Sequence, residues 1–315
     1  MIDETSRAAL ELRADLYALI RRFFAERGVL EVETPILSEA GNTEPNIESF
    51  ATTFSGHVAA GSRERWMRTS PEHAMKRLLA AGLGDCYELG RVFRNGEAGR
   101  RHNPEFMMLE WYRVGFDHLR LMRETAALVL TTLASKGWSA DVVETTYRDL
   151  FAGLRIDPFE APIDELRAPL AEFGIDPAGL SRDDWLDLLI THRIQPAFPK
   201  DRITAVYDFP ASQCALAKIR DGVAERFELF LGTYELANGY HELTDAAEQR
   251  ARFENDNARR RARGQREVPI DERFLDALPQ MPACAGVALG IERLLMVLAD
   301  TDDIADVIAF PFADA

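Results

Sequence analysis

Two stretches decide how this chain is read: Phe93–Tyr112, FRNGEAGRRHNPEFMMLEWY, and Gly286–Arg293, GVALGIER. In the first, strand-like runs flank a basic loop with Arg94, Arg100, Arg101 and His102, and the aromatic Phe106 follows. Such a loop suits a polyphosphate, with a ring on which an aromatic base can stack. In the second, small residues lead straight into a helix that carries Arg293 in its first turn. Two arginines on separate elements suit a nucleoside triphosphate, because preplaced guanidinium groups stabilise charge where it develops.

Around these stretches the pattern alternates between strands and helices. Cys86–Phe93 and Phe106–Val114 read as two strands with the basic loop between them. Cys284–Leu298 reads as a strand joined to a helix. Leu10, Leu16, Leu19, Ile20, Phe23 and Phe24 recur at helical spacing over Ser6–Ala25, and Gly28 ends that helix. Val29–Val32 is extended. Ser70 is placed to cap a helix with Pro71 at its first position, running to Gly82. Asp117 caps another helix that ends near Gly137. Residues 138–200 carry no concentrated chemistry and read as one or two helices, an insertion or connector. Ile203–Phe209, Val223–Leu231 and Thr233–Tyr240 read as strands. Thr244 begins a long charged helix, and Ile270–Leu278 is a shorter one. Hairpin-like strands without regular βαβ alternation predict an α+β fold with a mainly antiparallel sheet flanked by helices.

Composition narrows the class. With 315 residues and 47% hydrophobic content, the chain has ample material for a buried core. Its first residues are too charged for a signal peptide, and no apolar run spans a bilayer. Cys86, Cys214 and Cys284 are few, odd in number and far apart, which points to a reducing, cytoplasmic setting. A net charge of −15 is the wrong sign for a broad nucleic-acid surface. The basic group Arg259, Arg260, Arg261 and Arg263 is expected to close a helix as a solvated face, where cations complement the C-terminal dipole.

An acidic set complements the phosphate site. Glu228 and Glu235, in FELFLGTYE, could converge from paired strands on a magnesium ion that bridges phosphates, since hard cations take carboxylate oxygens. In TYELANGYHELTD, alternation places Asn238, Tyr240 and Glu242 on one strand face. A carboxylate, an amide and a ring together can hold an amine cation; an ordinary polar strand face accounts for the spacing equally well. Glu72, Glu110 and Tyr112 add further acidic or phenolic groups. The combination suggests a substrate with an amine and a group activated by ATP.

These segments resemble the catalytic core of class II aminoacyl-tRNA synthetases, and lysyl-tRNA synthetase most closely. The helix and strand ending in EVETPILS (31–38) are similar to the first class motif, FRNGEAGRRHNPEF (93–106) to the second and GVALGIERLLM (286–296) to the third. RHNPEF, ANGYHELTDA and SPEHAMKRLL are more specific still. The likeness runs from about residue 15 to 310. The first motif begins so near residue 10 that no room is expected for an anticodon-reading β-barrel. A single catalytic domain over residues 1–315 is therefore expected, without contact to a tRNA anticodon. In this the chain resembles the elongation factor P–lysine ligase family. That resemblance implies activation of lysine, preferably (R)-β-lysine, by ATP with Mg2+, and its transfer to a lysine of elongation factor P. It also implies a homodimer built on the first motif.

The resemblance assigns roles by motif. Arg94 contacts the α-phosphate and the substrate carboxylate. Phe106 and Arg293 sandwich adenine, with Asn95, Gly96, Glu97, Leu236 and Gly290 around the nucleotide. His102 and Asn103 lie along phosphates and sugar, and Glu228 and Glu235 hold magnesium. Ser70, Pro71 and Glu72 meet the proximal amine. Tyr112 and Glu242, with Asn238 beside them, take the distal ammonium, and Glu110, Tyr240 and Ala288 are further substrate-binding residues. Two departures stand out. Lysyl-tRNA synthetases have glutamate where Gly96 stands, and here the acid is Glu97. Synthetases that charge tRNA typically have glycine where Ala288 stands, whereas the ligases have alanine. Two alternatives stay open: a minimal lysyl-tRNA synthetase-like enzyme with another acceptor, and a non-catalytic amino-acid-binding regulator. The retained Arg94, Glu228, Glu235 and Arg293 weigh against the second.

Overall fold

The computed structural model describes residues 4–57 and 61–315. Along the chain run α1 (Glu4–Ala25), β1 (Leu30–Glu31), β2 (Leu37–Ser38), β3 (Ala51–Thr53), β4 (Glu64–Met67), α2 (Glu72–Ala80), β5 (Cys86–Phe93) and β6 (Glu105–Val114). Then come α3 (His118–Ala134), β7 (Asp141–Thr146), α4 (Tyr147–Leu150), α5 (Ile163–Arg167), α6 (Arg182–Leu189), β8 (Arg202–Pro210), β9 (Ile219–Arg220), β10 (Val223–Leu231) and β11 (Tyr234–His241). The chain closes with α7 (Ala246–Ala262), α8 (Glu272–Ala277), β12 (Cys284–Gly290) and α9 (Ile291–Leu298). These form two compact units, residues 1–115 with 243–315, and residues 116–242. Mainly antiparallel strands flanked by helices make the fold α+β, as the patterning predicts.

In the first unit, β5 pairs antiparallel with β6, and β6 antiparallel with β12, while β1 joins β5 in parallel. A small antiparallel sheet, β2–β4–β3, accompanies them. The register gives the two faces of the larger sheet different chemistry. Cys86, Glu88 and Gly90 lie opposite Tyr112, Glu110 and Met108, which lie opposite Gly286, Ala288 and Gly290. Directly opposed residues share a face, so Glu110, Tyr112 and Ala288 project together. The alternate residues face α1, where Phe24 stacks on Tyr87 at 4.4 Å between centroids and meets Trp111 edge-on at 5.4 Å. The apolar stripe of α1 explains this packing: Leu16, Leu19, Ile20, Phe23 and Phe24 are buried. Leu10, at the same spacing, is exposed instead.

In the second unit, β10 pairs antiparallel with β11, β8 and β9, and β7 adds to β8 in parallel. Helix α3 starts where Asp117 accepts from the Arg120 N–H, as expected of its cap. The strand β7 corrects the purely helical reading of residues 138–200. Its run Val142–Thr146 is β-branched apart from Glu144, but it is mostly exposed and lacks a clean inside-outside alternation. The following helices do have a core, with Tyr147, Phe151, Leu166, Trp185, Leu186 and Leu189 buried.

Three further expectations need correction. Helix α2 begins at Glu72, one residue later than expected, although the Ser70 hydroxyl does accept from the Glu72 N–H at 3.0 Å. Helix α7 begins at Ala246, because Asp245 rather than Thr244 caps it. Of the arginines at its end, Arg259, Arg261 and Arg263 are exposed as expected, and Arg260 is the exception. Arg260 is fully buried, donating to the Arg266 carbonyl at 2.7 Å and pairing with Glu48 at 2.6 Å. Arg261 pairs with Glu267, and Arg263 donates to Asn46. The local ordering of Glu44–Glu48 and Arg266–Glu267 supplies partners that spacing along a helix cannot reveal.

Candidate active site

The first unit holds the basic loop and Arg293. Arg94 leaves β5 with its N–H donated to the Pro104 carbonyl at 2.8 Å, and Asn95 donates to Glu48 O at 2.8 Å. These bonds fix the base of the loop. Its tip closes through reciprocal Gly99–His102 backbone bonds of 3.0 and 3.1 Å, so Arg100 and Arg101 occupy a two-residue turn. Arg100 pairs there with Asp302. The Arg94 guanidinium stands 5.2 Å from the Phe106 ring centre and 3.8 Å from Glu97. Gly96 has φ +86, a left-handed conformation that glycine adopts without strain.

Arg293 Nη2 lies 3.0 Å from His102 Nε2. Guanidinium can only donate, so His102 accepts as a neutral imidazole protonated on Nδ1. The second and third motif segments are thus tied by one bond. Asn103 is occupied by the protein: it donates to Glu105 O at 2.7 Å and accepts from the Phe312 N–H at 3.0 Å. Gly290 is the N-cap residue of α9, and a Cβ there would meet Arg293 only at ordinary contact distance.

Farther along β6 the chemistry turns acidic. Tyr112 donates to Glu110 Oε1 at 2.7 Å, and Ser70 donates to Glu110 Oε2 at 2.6 Å. Both Glu110 and Tyr112 are buried. Burial first, and then the nearby Glu72 charge, push the Glu110 carboxyl up to about 8, against the pull of its two donors. Glu72, just past Pro71 at the start of α2, pairs at 2.5 Å with Lys76, which is itself buried. Ala288 faces Glu110 across β12, so its methyl borders this acidic patch.

The second unit holds the other acidic set. Register places Arg226 opposite Tyr240 and Glu228 opposite Asn238, on one face of β10 and β11. Asn238 Nδ2 donates to the Tyr240 hydroxyl at 2.8 Å, which bears out their shared face. Between Leu229 and Phe230 the register slips, so Glu235 stands opposite Phe230 and the buried Leu236 falls in the irregularity. Burial raises the Glu228 carboxyl to about 7, with Glu235 and Asp187 adding to the rise and Arg226 opposing it. Glu242 lies one residue beyond β11; it is buried, and its backbone bridges Ala217.

Several supporting residues escaped the sequence reading. Glu292 accepts from Arg13 at 2.8 Å and from the Met107 N–H at 2.9 Å, binding α9, α1 and β6 beside Arg293 and Phe106. Its place directly before Arg293 was the available signal. Lys76, four residues after Glu72, was visible as a helical ion pair. Arg226 and Asp187 had no local signal at all.

The family profile described as tRNA synthetases class II (D, K and N) matches residues 1–314. A protein of Salmonella gallinarum (strain 287/91 / NCTC 13346), named elongation factor P–(R)-β-lysine ligase, is 47% identical over 306 residues, covering 95% of this chain and 93% of its own. Proteins of the same name from Proteus mirabilis (strain HI4320) and Yersinia enterocolitica serotype O:8 / biotype 1B are each 48% identical, over 314 and 317 residues. They cover 96% and 98% of this chain, and 95% and 96% of their own. The chain belongs to the class II tRNA synthetase family, alongside the elongation factor P–(R)-β-lysine ligases.

Proposed function

We propose that this protein is an ATP-dependent ligase that activates lysine, preferably (R)-β-lysine, and transfers it to a lysine side chain of elongation factor P. One observation carries the reading. A single strand, β6, presents Phe106 beside Arg94 and, on the same face, the buried Glu110–Tyr112 pair. At about 3.4 Å per residue, Phe106 and Glu110 stand about 14 Å apart, room for a nucleotide joined to an amino acid.

In the first step a substrate carboxylate oxygen attacks the α-phosphorus of ATP. The bond to the β-phosphate oxygen breaks, and pyrophosphate leaves. Arg94 binds the α-phosphate and the substrate carboxylate. Phe106 and Arg293 hold adenine, His102 steadies Arg293, and Asn103 braces the loop. Ser70 and Glu72 receive the proximal amine. Tyr112, with Glu110 beside it, receives the distal ammonium and Ala288 shapes the space, while Asn238, Tyr240 and Glu242 are substrate-binding residues of the second unit. In the second step the neutral ε-amine of the acceptor attacks the acyl carbon, AMP leaves, and the amine proton passes to solvent. That amine has an ordinary pKa of about 10.4, so alignment beside the adenylate supplies much of the acceleration.

Glu228 and Glu235 suit magnesium. They offer hard carboxylate oxygens, and Glu235 raises the buried Glu228, a repulsion that a divalent cation relieves. Among the described residues no group of three or more His, Cys, Asp or Glu side chains is arranged to hold a metal; Glu228 and Glu235 would hold the ion together with ligands from outside the chain. When bound, magnesium neutralises the phosphates as charge moves to the leaving pyrophosphate.

We further propose a single catalytic domain over residues 1–315, a homodimer through the first motif, and a cytoplasmic location. The exposed Leu30, Ile36 and Leu37 support the dimer. No helix among the described residues is long and apolar enough to cross a membrane.

The deciding experiment is the intact mass of elongation factor P after incubation with this protein, ATP, magnesium and (R)-β-lysine, with α-lysine in parallel. A gain of one lysyl unit, faster with the β isomer, is expected. Pyrophosphate exchange without that gain would move the acceptor elsewhere, and no exchange at all would refute activation.

A further inference from the structure

Arg226 has no role in the site as derived so far, yet it bonds two of its residues, Glu228 and Asn238. Its Nη2 pairs with Glu228 Oε1 at 2.5 Å, and its Nε donates to Asn238 Oδ1 at 3.1 Å. Its Nη1 donates to the Gln213 carbonyl at 2.8 Å, and the guanidinium lies over the Phe209 ring at 4.5 Å. All three nitrogens are therefore committed, and the plane is stacked. A planar fork held this way is rigid, unlike an ammonium on a flexible stem.

Its support comes from the segment whose purpose the sequence left blank. Gln213 Nε2 donates to Asp187 Oδ1 at 2.8 Å, and Ser212 donates to Asp183 Oδ1 at 2.8 Å. Both aspartates lie on α6. Helix α6 is itself firmly set, with a reciprocal capping box between Ser181 and Asp184 and with Trp185, Leu186 and Leu189 buried. The chain of bonds thus runs from α6 through Gln213 to Arg226, and then forks to Glu228 and Asn238. Asn238 passes it on to the Tyr240 hydroxyl.

We propose that Arg226, braced by Gln213 and by Asp187 of α6, is a positioning residue that fixes the magnesium carboxylate Glu228 and the amine-binding amide Asn238 together. This rests on the proposed roles of those two residues. It gives residues 138–200 a task beyond packing: they supply the brace. Arg226 also locks the Asn238 amide, since Oδ1 accepts from the guanidinium and Nδ2 must then face Tyr240. With Arg226 gone, Glu228 loses its counter-charge and Asn238 is free to turn over. A side chain that only balanced the Glu228 charge would affect the metal and leave the amine end alone.

The test measures two binding events apart from turnover. Lysine affinity is read by calorimetry, and Mn2+ affinity by electron paramagnetic resonance with an α,β-methylene ATP analogue. Arg226→Met should weaken both by about tenfold or more, the range seen when residues supporting a metal ligand are removed. Arg226→Lys should recover part of the metal affinity but not the lysine affinity. Asp187→Ala should show both losses in weaker form, and it decides the matter by the same readouts if Arg226→Met does not fold. Loss of metal affinity alone, in a folded Arg226→Met protein, would overturn the coupling. No loss of either would overturn any positioning role. Glu228→Gln and Asn238→Ala are the controls for the underlying reading. If these leave metal and lysine affinity unchanged, the assigned site is wrong, whereas normal control losses with a silent Arg226→Met refute the present proposal alone.

Discussion

Tyr112 donates its hydroxyl to Glu110 across 2.7 Å, two positions apart on one face of β6, and Ser70 holds the other carboxylate oxygen at 2.6 Å. The pair is buried, so its charge state depends on what arrives beside it. Burial and Glu72 keep Glu110 largely protonated near neutral pH. A substrate ammonium in that space would favour the carboxylate and expel the proton.

Lysine binding should therefore release a proton. Between about pH 5 and about pH 8 the folded free protein holds a proton on Glu110 that the unfolded chain has lost. Stability should fall as pH rises through that window, because the folded state binds more protons there. Glu110→Gln should flatten the slope, leaving the part due to Glu228, which shifts the same way. Calorimetry in buffers of different ionisation enthalpy should detect release in the native protein and not in Glu110→Gln. Equal release in both would place the titrating group elsewhere.

Ser70→Ala removes two bonds at once, the donor to Glu110 and the acceptor for the Glu72 N–H. Loss of these two bonds should cost about 1–2 kcal/mol of stability. It should also raise the KM for lysine while leaving that for ATP nearly unchanged, since Arg94 and Phe106 are untouched. An equal rise in both constants would show that Ser70 supports the loop rather than the amine end.

These two residues show what the sequence could reveal. The strands β5, β6 and β12 and the helix after β12 were legible because apolar alternation and turn residues are local signals. That Glu110 and Tyr112 share a face follows from strand parity alone. Their burial, and the raised Glu110, depend on α2 bringing Ser70 and Glu72 beside them, a long-range event without a sequence period. Arg260 failed for the same reason. Its position at a helix end suggested solvent, but Glu48 and the Arg266 carbonyl enclose it. The strand β7 was missed because an exposed edge needs no alternation. Arg226 was invisible because its three partners come from three separate stretches.

Arg260→Ala should be strongly destabilising, on the order of 3 kcal/mol, because it strips a buried partner from Glu48 and leaves the Arg266 carbonyl without its donor. Glu48 is partly exposed, which limits the electrostatic share. The Glu48 carbonyl receives the Asn95 N–H at the base of the nucleotide loop, so ATP affinity should fall along with stability. Urea unfolding and ATP titration check both. Loss of stability with unchanged ATP affinity would separate α7 from the loop.

Ala288 borders Glu110 across β12, where one methyl occupies space that a glycine would leave open. Ala288→Gly should shift the preference between α- and β-lysine toward the α isomer, within the roughly 1–3 kcal/mol that one carbon in a pocket commands. The measurement is the ratio of kcat/KM for the two isomers in pyrophosphate exchange. An unchanged ratio would remove Ala288 from the specificity argument.

Gly96 stands where the related synthetases place glutamate, and restoring that acid should not help this protein. At φ +86 any side chain strains the backbone by about 1–2 kcal/mol, even though a Cβ there would meet nothing within 4 Å. Glu97, one position later, reaches to 3.8 Å from Arg94, its N–H faces the Arg94 carbonyl at 3.4 Å, and we propose that it takes the place of that acid. Gly96→Glu should therefore lower stability and raise the KM for ATP, and Glu97→Ala should raise the same KM with little change in stability. Tighter ATP binding by Gly96→Glu at unchanged stability would mean that the turn is free to rearrange and that Glu97 does not replace the missing acid.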